Sequence, residues 1–472
     1  METVINEATG RTPVDIVTDF FSMRKVIVVW SRASAVAWLR DFFTARGLAA
    51  PFLVLADTTG LPAGTEFHEV DVKADSVDTW LAALESRIVS PPAELLAALD
   101  AFDPGREAIV LTPPFRQGRS MLLGRRCFGW RRAEWARYED KTVSDSFWAR
   151  AGVPHLPSVV TELSEDNLRA AFEMCDEGSG VVASADSTQV LYSGSRGVVR
   201  ISSADEIPRA HDFLAGRCTN VRIAPFVEGI SCSTHGMVFD DDVAVFRPIE
   251  QVVLRQGQFF PLMGGSSFWA PPAEVTELIR AFTARVGHRL SSEADYRGGF
   301  HIDGIISERG FLPIEVNARM GPYINGIADG AGIPLELLNS MAMEGEPMDI
   351  DVRALERRVI DALDSAPVVR VAMPLDGIVG AASDAAAVYL RAEDSRYVAC
   401  AEGDEWNVKA SCATTPVGAS IMLEFPDRPD HRGALVAPRA AQVIKEATRI
   451  WGMPAPDYTY ATPVGVNGGD GV

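Results

Sequence analysis

The chain is short of basic residues and has no long apolar run, and each shortage excludes something. Lysine plus arginine number 44 against 64 acidic residues, a formal net charge of −20 at pH 7. Nucleic acid and anionic membrane surfaces demand a basic face, so neither is an expected partner, although a local basic pocket stays open. Lysine occurs only at positions 25, 73, 141, 409 and 445, and that skew toward arginine says little about chemistry. No stretch approaches the ~18 consecutive apolar residues of a membrane span, and Met1 to Asp15 lacks the apolar core of a signal peptide. A cytoplasmic location is the expectation. The cysteines at 127, 175, 218, 232, 400 and 412 form no Cys-x-x-Cys pair, which reads as reduced, mostly buried thiols. The first strand-to-helix turn, Ser31-Arg32-Ala33-Ser34, has no Gly-x-Gly-x-x-Gly, so a dinucleotide site there is disfavoured.

What is present describes a soluble globular chain: 472 residues, 47% apolar and 23% charged, enough for roughly two to four domains. Lys25 to Trp30 has a buried-strand pattern, and residues 34 to 46 follow with helical spacing. Phe52–Ala56, Glu69–Val72 and Ala108–Leu111 read as further strands, with a helix over 75–87. Together they predict a small α/β layer. Val243 to Glu250 reads as a strand ended by Pro248. Gly264-Gly265-Ser266-Ser267 and Pro271-Pro272 mark a loop before a helix over about 273–290. From Ala366 onward the pattern changes to short β runs, then a helix over 438–451. Residues 467 to 471 are too polar to fold.

The stretch from His301 to Arg319 is the most informative. Two apolar runs flank Glu308-Arg309-Gly310, and a three-residue loop ending in glycine predicts a hairpin that sets Asp303 opposite Glu315. Side chains alternate along a strand. His301, Asp303, Glu315 and Asn317 would then share one face, with Phe300, Ile302, Ile306, Leu312, Ile314 and Val316 on the other. Two carboxylates and an amide oxygen are hard ligands suited to Mg²⁺, and Arg319 could hold phosphates bound to the same ion. A solvent-facing hairpin whose charges merely keep one face wet has the same alternation. The order of the residues is more particular than that.

Asp303, a short hairpin, then Glu315-Val316-Asn317-Ala318-Arg319 resembles the metal-binding signature of the ATP-grasp superfamily, whose last piece usually reads Glu-x-Asn-Pro-Arg. Ala318 stands in for the proline. Further matches follow in the superfamily's order. Glu139-Asp140-Lys141, then Ala151 to Pro154, resembles the entry to the nucleotide-binding half, which would put Lys141 on the ATP phosphates. Tyr192 to Val198 looks like the glycine loop, so Ser193, Gly194, Ser195, Arg196 and Gly197 would close over those phosphates. Pro225 to Gly229 resembles the hinge, which places Phe226, Val227 and Glu228 around adenine. Arg247 and the loop at Gly264 could face a substrate carboxylate.

The resemblance implies an α/β and α+β multidomain chain with the ATP-grasp fold. Its expected parts are a flexible leader 1–23, an N-terminal α/β (pre-ATP-grasp) domain 24–135, an ATP-grasp domain 136–350, a small C-terminal lid domain 351–462 and a flexible tail 463–472. Within the ATP-grasp domain the nucleotide-binding subdomain would cover about 155–225 and the metal-binding subdomain about 226–350. It also implies ATP and two Mg²⁺ ions, replaceable by Mn²⁺, with Asp303, Glu315 and Asn317 as ligands and Arg319, His301 and Arg247 as catalytic residues.

Three departures stand against this pattern. Val181-Val182-Ala183-Ser184 carries no lysine, so either Arg196 or Arg200 compensates or ATP is held by fewer contacts. Ser231 replaces the acid that often holds the ribose, a role Glu228 could take. His301 replaces an arginine, and could donate to a phosphate or tetrahedral oxyanion or be a satisfied structural histidine. Among superfamily members the chain most resembles the peptide ligases of antibiotic pathways, such as that of pheganomycin assembly. The implied reaction joins a small carboxylate to the amino group of a peptide or amino acid through an acyl phosphate, releasing ADP and phosphate. A dipeptide-forming amino-acid ligase, a small-molecule kinase and an ATP-sensing binding protein remain alternatives, and homo-oligomerisation stays open.

Overall fold

The first sheet grows from the run Val26-Ile27-Val28-Val29, in which every residue is buried. Apolar residues on both faces suit a parallel strand covered on both sides. In the computed structural model, residues 10–461 are described except 75–76, 114–117, 188–194, 241, 322, 324–331, 377–385, 395, 416–417, 429–430 and 455. Strand β1 (Val26–Arg32) pairs in parallel with β2 (Phe52–Asp57) and with β4 (Ile109–Leu111). With β3 (Phe67–Glu69), β5 (Met121–Leu122) and β6 (Arg125–Cys127) the order is β3-β2-β1-β4-β6-β5. The strand expected at Glu69–Val72 lies earlier, at Phe67–Glu69, where Leu53 to Leu55 offer partners. The stretch expected as a loose leader holds the helix Pro13–Ser22. Thr12 and Asp15 form its capping box, and Ile16, Val17 and Phe21 pack into the same core as Val26, Val28 and Phe43.

The second sheet is antiparallel: β7 (Val159–Glu162), β8 (Val181–Ala185), β9 (Val198–Ile201) and β10 (Asn220–Pro225), in the order β7-β10-β8-β9. Helices Glu165–Cys175 and Ile207–Leu214 share its apolar core.

From Pro225 the chain runs through Phe226 to Gly229 directly into β11 (Ile230–Val238), the centre of a third, 12-stranded sheet. Its strands are β12 (Val243–Val245), β13 (Ile249–Arg255), β14 (Leu262–Ser266), β15 (Gly298–Ser307), β16 (Gly310–Asn317), β17 (Val369–Asp376), β18 (Val388–Glu393), β19 (Arg396–Cys400), β20 (Val408–Thr415), β21 (Gly418–Glu424) and β22 (Thr459–Tyr460). The path runs β16-β15-β11-β13-β14-β17-β21-β20-β18-β19, so the C-terminal strands extend the sheet that carries the hairpin.

Two sequence expectations change here. Pro248 separates two strands, β12 and β13, and the Gly264 stretch is strand β14 where a loop was expected. Gly264 has φ +157°, and a Cβ there would lie 1.8 Å from the Arg370 carbonyl, so the glycine is what lets β17 come close. The helix Ala273–Ala294 begins just after Pro271-Pro272 and packs Ile279, Phe282, Val286 and Leu290 against Phe300, Ile302 and Val316. Among the described residues no helix is long and apolar enough to cross a membrane.

Candidate active site

The hairpin β15–β16 closes differently from the expected three-residue loop and still reaches the expected register. Ser307 pairs with Gly310, leaving a two-residue turn, and Ile305 pairs with Leu312. A bulge then intervenes: Gly304 faces Pro313, Asp303 faces Glu315, and Ile314 is the extra residue. The bulge restores the pairing of His301 with Asn317 and Asp303 with Glu315. It also moves Leu312, expected on the oily face, to the acidic one beside Ile305, while Phe311 enters the core with Ile306. Ile314 is half-buried and lies outside that core.

Asp303 and Glu315 thus stand side by side, with Asn317 Nδ2 3.4 Å from Asp303 Oδ2 and 3.5 Å from Glu315 Oε1. Asp303 Oδ1 is shielded from solvent with no hydrogen-bond partner. Burial raises the Asp303 pKa, opposed by the Ser233 and Gln251 side chains beside it. A buried carboxylate with an oxygen left over and a second carboxylate directly opposite fit a hard divalent cation such as Mg²⁺; Asn317 turns its Nδ2 to them and would ligate only through Oδ1, which Arg319 holds.

Cations from elsewhere in the chain complete the cluster. Asp140 accepts from Thr142 N at 2.9 Å and caps the short turn Lys141–Val143, which aims Lys141 at the hairpin. There the Lys141 ammonium ion-pairs with Glu315. Burial lowers the Lys141 pKa to about 8, against the pull of Asp303 and Glu139. Arg319 donates from Nη2 to Asn317 Oδ1 at 2.9 Å and from Nε to Glu139 Oε2 at 3.2 Å. The other Glu139 oxygen lies 2.6 Å from Nη2 of the fully buried Arg131. On the second sheet Arg222 sits opposite Ser184 of β8, near enough to Lys141 to help lower its pKa, and is gripped by Asp145 at 2.6 Å.

Several sequence-derived assignments land elsewhere. Arg247 is buried, its Nε 2.8 Å from Asp364 and its Nη2 2.5 Å from the Ser267 carbonyl. These contacts occupy its guanidinium, which favours a structural role over the expected substrate-carboxylate one. His301 lies between Asp303 and His235, ring centroids 5.5 Å apart, and its Nδ1 faces the Arg319 carbonyl at 3.2 Å. That nitrogen must carry the proton, leaving Nε2 as the bare one, 4.0 Å from Asp303. Burial lowers the His301 pKa to about 3, so the ring is neutral and aims no donor at an oxyanion. Of the two readings left open for it, the satisfied structural histidine fits.

Arg200 lies with its guanidinium carbon 3.6 Å from the Phe226 ring centroid and donates to the Ser179 carbonyl. It braces the hinge. Glu228 receives Arg255 at 2.7 and 2.9 Å, which engages the carboxylate proposed for the ribose. Phe226 is buried, its N–H donates to the Gly180 carbonyl at 2.9 Å, and Val227 is half-buried. Ser195, with φ +65°, Arg196 and Gly197 form the turn into β9. Ser193 and Gly194 lie outside the described residues.

Sequence reasoning missed Arg131, Arg222, Gln251 and Tyr323. Only Arg222 carried a local signal, a lone arginine inside the apolar strand Val221 to Ala224.

No family model and no curated protein matches this sequence. Solved structures do. The phosphoribosylamine–glycine ligase of Thermotoga maritima aligns at 15% identity over 86% of this chain and 94% of its own, with a TM-score of 0.51. The biotin carboxylase domain of Hydrogenobacter thermophilus 2-oxoglutarate carboxylase, bound to MgADP, ADP and bicarbonate, aligns at 13% identity over 85% of this chain and 86% of its own, TM-score 0.52. The carboxyaminoimidazole ribonucleotide synthase of Aspergillus clavatus, complexed with ATP, aligns at 12% identity over 91% and 98%, TM-score 0.50. At such identities the likeness is one of fold, and the fold is that of the ATP-grasp enzymes, a mixed α/β multidomain architecture.

Proposed function

We propose that this chain is a cytoplasmic ATP-dependent carboxylate-amine ligase that joins a small amino-acid-like acid to the α-amino group of a peptide. The observation that carries the ligase reading is the facing pair Asp303 and Glu315, with Lys141 bound to one and Arg319 locked beside Asn317. Mg²⁺ on Asp303, Glu315 and Asn317 would neutralise the β- and γ-phosphate oxygens of ATP. Phosphoryl transfer asks a protein for positioning and charge more than for covalent help. Lys141 and Arg319 supply two cations, and Glu139 keeps the Arg319 fork from swinging. The substrate carboxylate attacks the γ-phosphorus, ADP leaves, and the amine displaces phosphate from the acyl phosphate through a tetrahedral intermediate. An acyl phosphate is vulnerable to water, so the site would have to exclude it as the reaction proceeds.

The absence of a lysine at 181–184 and the serine at 231 support a specialised biosynthetic ligase, as in antibiotic peptide assembly, over a housekeeping one. The test is an ADP-release screen of carboxylic acids, each with and without amino acids and short peptides, and with hydroxylamine as a trap. Amine-dependent ADP release and a hydroxamate are expected. ADP release without any amide or hydroxamate would make the protein a kinase, and AMP with pyrophosphate would end the acyl-phosphate mechanism.

A further inference from the structure

We propose that Asp140 is a positioning residue that ties the turn bearing Lys141 to the end of β8, so that Lys141 can exchange Glu315 for an ATP phosphate by rotating its side chain alone. The inference rests on the reading above that puts Lys141 on the phosphates, and it names the group that holds Lys141 in place.

A single turn does not fix its own direction. Lys141–Val143 is one 3₁₀ turn, closed by Val143 N on the Asp140 carbonyl at 3.1 Å and Ser144 N on the Lys141 carbonyl. Helical pieces this short depend on outside contacts. The half-buried Asp140 carboxylate supplies them on two sides. Its Oδ1 accepts from Thr142 N at 2.9 Å and Thr142 Oγ1 at 2.7 Å, inside the turn. Its Oδ2 accepts from Ser187 Oγ at 3.0 Å and Ser187 N at 3.3 Å, at the end of β8 on the second sheet. Only a carboxylate has two acceptor oxygens. An asparagine could serve the turn or the sheet but not both.

The anchor on the sheet side is itself held. Asp186, next to Ser187, is 1% exposed and accepts from Asn220 N at 2.6 Å, at the start of β10. The chain beyond the turn is fastened as well: in the helix Ser144–Ala151, Asp145 takes Arg222 of β10 at 2.6 Å on one oxygen and Ser158 Oγ at 2.5 Å on the other. Before the turn, Glu139 grips Arg319 beside the hairpin. Residues 139 to 145 therefore join the hairpin to the second sheet, with Lys141 between the ties. The lysine stem lets the ammonium change partner while the backbone stays still. A turn that had to be ordered when nucleotide arrives would lose affinity to that ordering, and Asp140 removes the loss beforehand.

The test is a thermodynamic cycle on the full chain, with the affinity of the non-hydrolysable β,γ-imido analogue of ATP measured by calorimetry in Mg²⁺. Asp140→Ala should weaken binding about tenfold or more, as loss of a residue that orients a ligand-holding group commonly does. Ser187→Ala leaves the cap of the turn intact and cuts only the tie to the sheet, so it keeps the test decisive where Asp140→Ala folds poorly. It should weaken binding about three- to tenfold, and Asp140→Asn should fall between wild type and Asp140→Ala. Added to Lys141→Ala, either change should weaken binding by no more than about twofold further, because both act through the lysine. A merely structural role would add in full. Affinities unchanged in Asp140→Ala and Ser187→Ala, losses that add in full to that of Lys141→Ala, or no binding by the wild type would overturn the proposal. Failure of the ligase reading shows separately, as absence of hydroxamate in the trapping screen with nucleotide binding intact.

Discussion

Lys141 and Glu315 are 174 residues apart in the chain and form an ion pair at the centre of the cleft. Lys141 arrives from the turn that follows the N-terminal layer, Glu315 from the second strand of the β15–β16 hairpin. Two residues earlier, Glu139 holds Arg319, so one short segment grips the hairpin at two points. A cation on Glu315 and the Lys141 ammonium compete for the same carboxylate. Binding of Mg·ATP would turn Lys141 toward the phosphates, where its charge has another partner.

Replacing Lys141 by alanine should therefore cut kcat/KM for ATP by about 10²- to 10³-fold, the range typical of removing one donor to developing charge. The folded state should survive, since the change leaves Glu315 near solvent rather than stranded. Steady-state kinetics with a melting curve check both halves. An unchanged kcat/KM would remove Lys141 from the phosphate site.

Glu315→Gln and Asn317→Ala should lower turnover by orders of magnitude and raise the Mg²⁺ concentration needed for half-maximal rate, because each deletes an oxygen ligand without touching the core. Arg319→Ala should lower turnover with little change in Mg²⁺ requirement. Titrating Mg²⁺ at saturating ATP separates the two patterns. Near-normal rates in all three variants would dissolve the site.

Glu139 bridges two arginines, and losing its charge leaves Arg131 buried without its counter-ion. Glu139→Gln is expected to lower kcat by about 10- to 100-fold, as outer residues that orient a working group commonly do, and to lower Tm as well. Glu139→Asp should recover more of Tm than of kcat, since it keeps the charge but shortens its reach to Arg319. Equal recovery of both would make the residue purely structural.

Arg247 tests the opposite case. Its ties to Asp364 and to the Ser267 and Trp269 carbonyls predict that Arg247→Met costs about 1–3 kcal/mol of stability, reading the loss as that of charge-assisted hydrogen bonds, with KM values unchanged. Chemical denaturation beside substrate titration checks it. A large KM effect at unchanged stability would return Arg247 to the substrate site.

How much of this was legible in the sequence depends on how local each cause is. The opposition of Asp303 and Glu315 could be read because alternation and hairpin pairing are short-range rules. The route to it could not, since nothing in Pro313-Ile314-Glu315 announces a bulge, and that bulge compensates for a turn one residue shorter than expected. Arg247 reads in sequence as an arginine among apolar residues. Its fate is set by Asp364, more than 100 residues further on, information only the folded chain holds. The Gly264 stretch reads as a loop by composition, yet Gly264 is there for the close approach of β17.

The seam between hairpin half and C-terminal strands gives the last prediction. Glu250, on β13, is almost wholly buried and accepts from the backbone N–H groups of Val436 and Ala437 at 2.7 and 2.8 Å, at the start of the helix Ala437–Ile450. Burial raises its pKa from 4.5 to about 7, outweighing those two bonds and Arg439. A carboxyl whose folded pKa is raised binds its proton more tightly in the folded state than in the unfolded one. Its contribution to stability is full below the unfolded value and is lost as pH rises through the folded value. Glu250→Gln cannot titrate, so the Tm of the wild type relative to this variant should fall as pH is raised from about 4.5 to about 7 and level off above. A relative Tm that rises across that window would mean the helix N–H groups hold the carboxylate ionised, with burial the weaker influence.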